Sequence, residues 1–387
     1  MLKQAIAASL VALLLGPNVL AAKKTAPAKA GTRERAEVVA EDIALFMDKS
    51  PKRIERTGAT FIAPHFARVA LLDGDTITVH GPEAGSRSYT YNRLSTLEGR
   101  YAIAIPGTTA IIDLNNASGK SSYEIDKYSA GMDPPRIAAR NQPQTGFLEI
   151  CGADDSQEAK CITGTPYDTS RAVARLLING KWACTGWLVG PGGHLITNHH
   201  CISSAADAAN VQVEFMAEGA SCPTNCDSWF GCPGNVVATS AQFVTANAKN
   251  DYAVIKLDPS VAQQYGYFRL RRVGPRKDEP IYIPQHPRGA GKRIVVKSSD
   301  PKDAAGPTPG MAHINTLEAL ACSGVGASEV GYNADTDPGA SGSPVVATAD
   351  NLVVALHHCG GCPNHAIPID RIAKALAKVL PSAAFGQ

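Results

Sequence analysis

One serine, Ser341, sits among small residues in the run Asp335-Thr-Asp-Pro-Gly-Ala-Ser-Gly-Ser-Pro-Val345, with Gly339 and Gly342 on either side. Such a run bends tightly and exposes a hydroxyl. The amides of Gly339 and Ser341 can then converge as donors to one oxyanion. A serine hydroxyl is a weak nucleophile until a base takes its proton. The chemistry therefore requires a histidine, and a carboxylate to orient that histidine. Both occur upstream, in Thr197-Asn-His-His-Cys201 and Asn250-Asp-Tyr-Ala253. Ser341 is the candidate nucleophile, His199 or His200 the base, and Asp251 the acid.

The elements that must position these residues come from a chain of 387 residues, long enough for two folded units. It is 44% hydrophobic and 19% charged, with 35 Gly and 26 Pro, a turn-rich, β-leaning composition unlike that of a disordered chain. A formal charge of +2 gives no reason to expect nucleic acid or a charged membrane surface as a partner. The N-terminus has the form of a secretory signal: Lys3, an apolar run from Ala5 to Leu15, then Val19-Leu-Ala21 before a cut. That run is too short to span a bilayer, and no membrane anchor is expected. All ten cysteines fall between Cys151 and Cys362. An even number in an exported chain implies disulfides, and their absence from the first 150 residues marks a boundary.

The expected organisation is a signal peptide over residues 1–21, a flexible or short helical segment over 22–56, and a β-sandwich over 57–130. A linker over 131–146 and a catalytic unit over 147–387 complete it. The sandwich rests on short runs such as Ala67–Leu72, Thr76–Val79, Tyr101–Ile105 and Thr108–Asp113, separated by turn pairs. It could serve as a pro-domain. The linker carries Pro134, Pro135 and Pro143, with Arg136 and Arg140 as candidate processing sites. The later runs Ala172–Ile178, Val211–Phe215, Ala253–Leu257 and Leu352–Leu356 also read as strands. Ile369, Ile372, Ala373, Leu376 and Leu380 fall at helical spacing and predict a terminal amphipathic helix.

From Cys151 onward the sequence resembles the chymotrypsin-like serine proteases. Cys184-Thr-Gly-Trp-Leu-Val189 with Leu195–Cys201, Asn250–Leu257 and Gly339–Pro344 look like that family's base, acid and nucleophile segments. They stand in its order of His, Asp, Ser. The resemblance implies an all-β, double β-barrel domain with a C-terminal helix, preceded here by the N-terminal sandwich. It selects His200, next to Cys201, over His199. It also implies a Cys184–Cys201 disulfide. The segments Phe61–His65 and Ala104–Gly107 resemble a jelly-roll-like domain found ahead of some secreted bacterial-type trypsin-like proteases. Cys151 and Cys161 resemble the N-terminal cysteines of lysyl endopeptidases. Cys222, Cys226 and Cys232 crowd what reads as a stapled surface loop between base and acid.

The family's position before the nucleophile is often Asp, which pairs with a freed N-terminal ammonium. Here it is Ala340, whose methyl group cannot form that pair. Asp335, six residues before Ser341, stands where trypsin-like members bind Lys or Arg. An Asp-Thr pair with His357 or His358 also resembles glutamyl endopeptidases, so the preference stays open between basic side chains, taken first, and glutamate. A zinc site over His357–His365 competes with disulfides at Cys359 and Cys362. An oxidising compartment removes the thiolates zinc needs, and no metal or cofactor is expected. The function expected is a secreted (extracellular or periplasmic) monomeric serine endopeptidase acting on protein or peptide substrates through an acyl-enzyme. The alternatives are a glutamate-preferring endopeptidase, an esterase, or an inactive binding protein on a protease scaffold.

Overall fold

The computed structural model describes residues 36–37, 40–45, 50–132, 150–301, 308–322 and 326–386. The signal peptide, the segment 22–32 and nearly all of the linker, with Arg136 and Arg140, lie outside the described residues.

The upstream region is two antiparallel sheets. One orders Ala40–Ala44, Ser122–Met132, Ala59–Ala70 and Arg100–Tyr101, with Ile105–Pro106 also on Ala59–Ala70; the other orders Arg53–Glu55, Thr109–Asn115, Thr76–His80 and Ser88–Tyr91. Alternation drives the packing: Ile77 and Val79 turn inward along Thr76–His80 and join Ile62, Phe66, Ile112 and Ile125 in one core. Two strands of this unit, Ala40–Ala44 and Arg53–Glu55, come from the segment preceding residue 57.

The downstream region has the double-barrel arrangement. The first curled sheet orders Asn235–Ala238, Val211–Phe215, Val173–Ile178, Trp182–Val189, His194–Thr197, Tyr252–Lys256 and Gln242–Asn247, with Ala36–Glu37 added alongside Trp182 and Ala183. The second orders Gln157–Glu158, Arg293–Val295, Ile281–Gln285, Pro344–Ala347, Val353–Cys359, Asn364–Pro368, Glu329–Tyr332 and Ile314–Ala319. Strands such as Val173–Ile178 and Glu329–Tyr332 are buried at every position because both faces are covered. The helix Ile369–Leu376 lays Ile369, Ile372, Ala373 and Leu376 on the core; Leu380 is buried just beyond its end. No helix among the described residues is long and apolar enough to cross a membrane.

All ten cysteines pair, as Cys151–Cys362, Cys161–Cys222, Cys184–Cys201, Cys226–Cys232 and Cys322–Cys359. Cys359 and Cys362 are thus cystine sulfurs and not thiolate ligands. Only Cys226–Cys232 is internal to the loop between base and acid; Cys222 reaches back to Cys161.

The sandwich seats on the first barrel. Phe61, Ala63, Tyr101 and Ala104 form one buried cluster with Leu177, Ala183, Trp229 and Phe230. Beside it the fully buried carboxylate of Glu214 takes Arg175 Nη2 at 2.8 Å from its own barrel and Arg87 from the sandwich. Arg175 spends Nη1 on the carbonyls of Gly231 (2.9 Å) and Gly289 (3.0 Å) and also gives Nε to Glu214 (3.1 Å), so four of the buried cation's five donors are placed. Replacing Arg175 with methionine would leave Glu214 half-compensated in a dry site. Breaking a buried pair from one side costs about 3–5 kcal/mol. Urea denaturation followed by far-UV circular dichroism should register a loss of that size for Arg175→Met.

Candidate active site

Two adjacent strands bring His200 and Asp251 together. His194–Thr197 runs antiparallel to Tyr252–Lys256, with Thr197 opposite Ala253. The residues just after the first strand and just before the second therefore meet. Asp251 occupies that corner with φ +40°, a left-handed conformation that Asp tolerates better than most residues. Asn198 Nδ2 donates to the Asp251 carbonyl at 2.8 Å and secures the corner.

The Asp251 carboxylate is fully buried and surrounded by N–H groups. Oδ1 accepts from the His200 amide at 3.0 Å; Oδ2 contacts His200 Nδ1 at 2.8 Å and His358 Nδ1 at 3.1 Å. Burial pushes the carboxyl up, but the bonds and charges of His200 and His358 outweigh it and hold it well below the usual carboxylate range. His200, not His199, is the imidazole bonded to Asp251. The Cys184–Cys201 bridge closes a 17-residue separation directly behind His200. A loop of that size restricts the unfolded chain by about 3 kcal/mol.

The Ser341 loop is seated against the same bridge. The Ser341 carbonyl accepts from Thr185 N at 2.9 Å and lies 3.9 Å from Cys201 Sγ; the Gly339 carbonyl accepts from Thr185 Oγ1 at 2.9 Å. Trans peptide geometry sets the amides. The Pro338 carbonyl faces Arg288 N, so the Gly339 N–H points the other way; the Ala340 carbonyl takes Ser343 N at 2.9 Å, which turns the Ser341 N–H away from it. Gly339 has φ +97°, and a Cβ there would come within 2.8 Å of Arg288 N, so glycine is required. Asp337, not position 340, carries the loop's ion pair: Arg288 Nε lies 2.6 Å from its Oδ2. Ala340 is fully buried.

The pocket residues fare differently. Asp335 is buried with Oδ1 on the Cys151 amide (2.9 Å) and Oδ2 on the Asp155 amide (2.8 Å). Burial, opposed by those two amides and helped by the charges of Asp154 and Asp155, pushes it up to about 7. Its carboxylate fastens the start of the catalytic unit, next to the Cys151–Cys362 bridge. His357 is bonded through Nδ1 to the Tyr332 hydroxyl and is held down to about 3 by burial and the neighbouring charge of His358. His358 joins Asp251, as described, and its Nε2 lies 2.9 Å from Glu329 Oε2. Thr185, Arg288, Glu329 and Tyr332 touch these groups without a motif to mark them. The signal available was Glu329 itself, a charged residue in the otherwise uncharged strand Glu329–Tyr332.

The sequence model of the family described as "Trypsin-like peptidase domain" matches residues 184–356, a span that holds His200, Asp251 and Ser341. Secreted RxLR effector protein 73 of Plasmopara viticola is 40% identical over 324 residues, covering 80% of this chain and 77% of that one. Residues 184–356 of the chain belong to the trypsin-like peptidase family. Among solved structures, a Glu endopeptidase is 18% identical, with 60% of this chain and 100% of that one covered at a TM-score of 0.40. A serine endoprotease from Yersinia pestis is 15% identical, with 56% and 67% covered at 0.39.

Two buried carboxylates make the stability of this trypsin-like peptidase depend on acid. Burial pushes Glu329 up, but His358 and His365 bring it down to about 2; burial likewise opposes Glu214, which Arg175 and Arg87 bring down to about 2. A lowered folded-state value means the stabilisation is whole above the ordinary 4.5 and is lost as pH falls through about 2. Urea midpoints should fall steadily across that window, and more shallowly for Glu329→Gln.

Proposed function

We propose that this chain is a secreted serine endopeptidase. Ser341 attacks the peptide carbonyl and forms the acyl-enzyme. His200 takes the hydroxyl proton and returns it to the leaving amine. Asp251 fixes the imidazole tautomer and stabilises the imidazolium. The amides of Gly339 and Ser341 receive the oxyanion, each worth about 10²–10³ in rate. Water then hydrolyses the acyl-enzyme, again with His200 as base. The observation that carries this reading is the double engagement of Asp251 by His200, through the amide at 3.0 Å and Nδ1 at 2.8 Å, beside a nucleophile loop seated on Thr185. Export is supported by the five disulfides and by the word "secreted" in the name of the 40% identical relative. Protein or peptide substrates are the partners this chemistry requires.

A fluorophosphonate probe tests the mechanism. Wild-type protein should be labelled and Ser341→Ala should not; Asp251→Asn should lower kcat by about 10⁴. The relative's designation as an effector favours a second reading, an inactive binding protein on the same scaffold. Absence of labelling in the wild type and in every processed form would favour that reading.

For the side chain accepted at the cleaved bond, the glutamate-preferring alternative replaces Lys/Arg. Asp335 already satisfies two amides and is pushed up to about 7, which leaves it a weak anchor for a cation. The adjacent Thr336 hydroxyl is buried and without a hydrogen-bond partner among the described residues. A buried donor of this kind suits a carboxylate. Paired peptides differing only in Glu or Lys before the scissile bond should give the higher kcat/KM for Glu; faster cleavage after Lys would restore Asp335 as the specificity group.

A further inference from the structure

The acid of the site does not end at Asp251. His358 is fully buried between two carboxylates, with Nδ1 3.1 Å from Asp251 Oδ2 and Nε2 2.9 Å from Glu329 Oε2. A neutral imidazole has one N–H and one lone pair, and the lone pair would face a carboxylate oxygen on one side. With a carboxylate oxygen 2.9–3.1 Å from each ring nitrogen, the doubly protonated imidazole is the form these ion-pair distances favour. Its raised proton affinity agrees: burial lowers it, and the two carboxylates overcome that. Glu329 is secured in turn. Both its oxygens accept from the Cys322 amide, at 3.2 and 3.1 Å, and His365 Nδ1 lies 3.5 Å from Oε2. Cys322 is bridged to Cys359, the residue after His358, so one disulfide brackets the carboxylate and the imidazole together.

We propose that His358 and Glu329 are positioning residues for proteolysis: His358 is a fixed cation that holds Asp251 Oδ2 in the orientation His200 needs and takes a share of its charge. This rests on the proteolytic reading above. Two effects follow. Without a donor at 358, Asp251 loses one of its three N–H contacts and the His200 imidazole loses its fixed acceptor. Without a positive charge at 358, Asp251 acts on His200 alone and favours its imidazolium, so more alkaline conditions are needed to free the base. The other titratable groups facing His358 are His200 across Asp251, His357 beside it in sequence, and His365 across Glu329.

The test compares His358→Ala, His358→Asn and Glu329→Gln in the full chain. Rates are normalised to the fraction labelled by a fluorophosphonate, so that misfolded protein is not counted. His358→Ala should lower kcat by about tenfold to 100-fold with little change in KM, the scale for losing a group that orients another. His358→Asn, which keeps a donor but no charge, should recover most of that kcat. Its acid limb in kcat/KM should still lie about one pH unit above that of the wild type. Glu329→Gln should lower kcat severalfold, and it decides the matter together with His358→Asn if the alanine variant does not fold. Variants that melt earlier yet keep wild-type kcat and pH profile per labelled site would overturn the positioning role and leave proteolysis intact. A wild type that neither reacts with the probe nor cuts peptides would overturn proteolysis itself, and the positioning role with it.

Discussion

The site is organised around one carboxylate that has no contact with water. Asp251 is buried at the seam between the sheets, and an ion there is tolerable only when its lone pairs are filled. Two imidazoles and one amide fill them. The rest of the arrangement serves that requirement. The adjacent strands His194–Thr197 and Tyr252–Lys256 deliver His200 to it, and the left-handed corner at Asp251 aims it. The strand Val353–Cys359 supplies His358 from the second sheet. The carboxylate is therefore a joint between the two barrels as well as a partner of His200.

The covalent and ionic fasteners fall where loops would otherwise drift. Cys184–Cys201 stands behind His200, and Cys322–Cys359 behind Glu329 and His358. Cys151–Cys362, with the Asp335 amide bonds, closes the start of the catalytic unit onto its last strands. The Arg288–Asp337 pair, with the bonds from Thr185, steadies the Ser341 loop.

Much of this was legible from the sequence where the chemistry lies in consecutive residues. The segments around His200, Asp251 and Ser341 announce themselves, and the strands Thr76–His80 and Val211–Phe215 follow from alternation or from β-branched and aromatic content. Ala59–Ala70 is less legible: the strand-like run starts at Ala67, whereas the strand extends back through Pro64, which cannot donate to the ladder. The backbone contacts of Asp335 were not legible, because its partners, Cys151 and Asp155, are some 180 residues away. A carboxylate facing a cleft and one tying down backbone look alike in sequence. His358 was legible only as one of two adjacent histidines, since its meaning depends on Asp251 and Glu329 arriving from different sheets. Disulfide connectivity beyond Cys184–Cys201 depends on tertiary proximity that spacing does not encode.

The seating of the sandwich has a consequence for any nicked form. Every cystine lies between Cys151 and Cys362, so no covalent crosslink reaches the sandwich, and only the backbone leading into the catalytic unit joins the two. Yet Arg87 is inserted against the buried Glu214, Ala104 N bonds Gln212 Oε1 at 2.8 Å, and Phe61 packs at a tilt against Phe230. Severing the backbone between residues 133 and 149 would create a two-chain protein without freeing either chain. The halves would co-elute under native conditions and separate only when a denaturant floods the Glu214 site. Excision and departure of the upstream unit are, for this molecule, separate events.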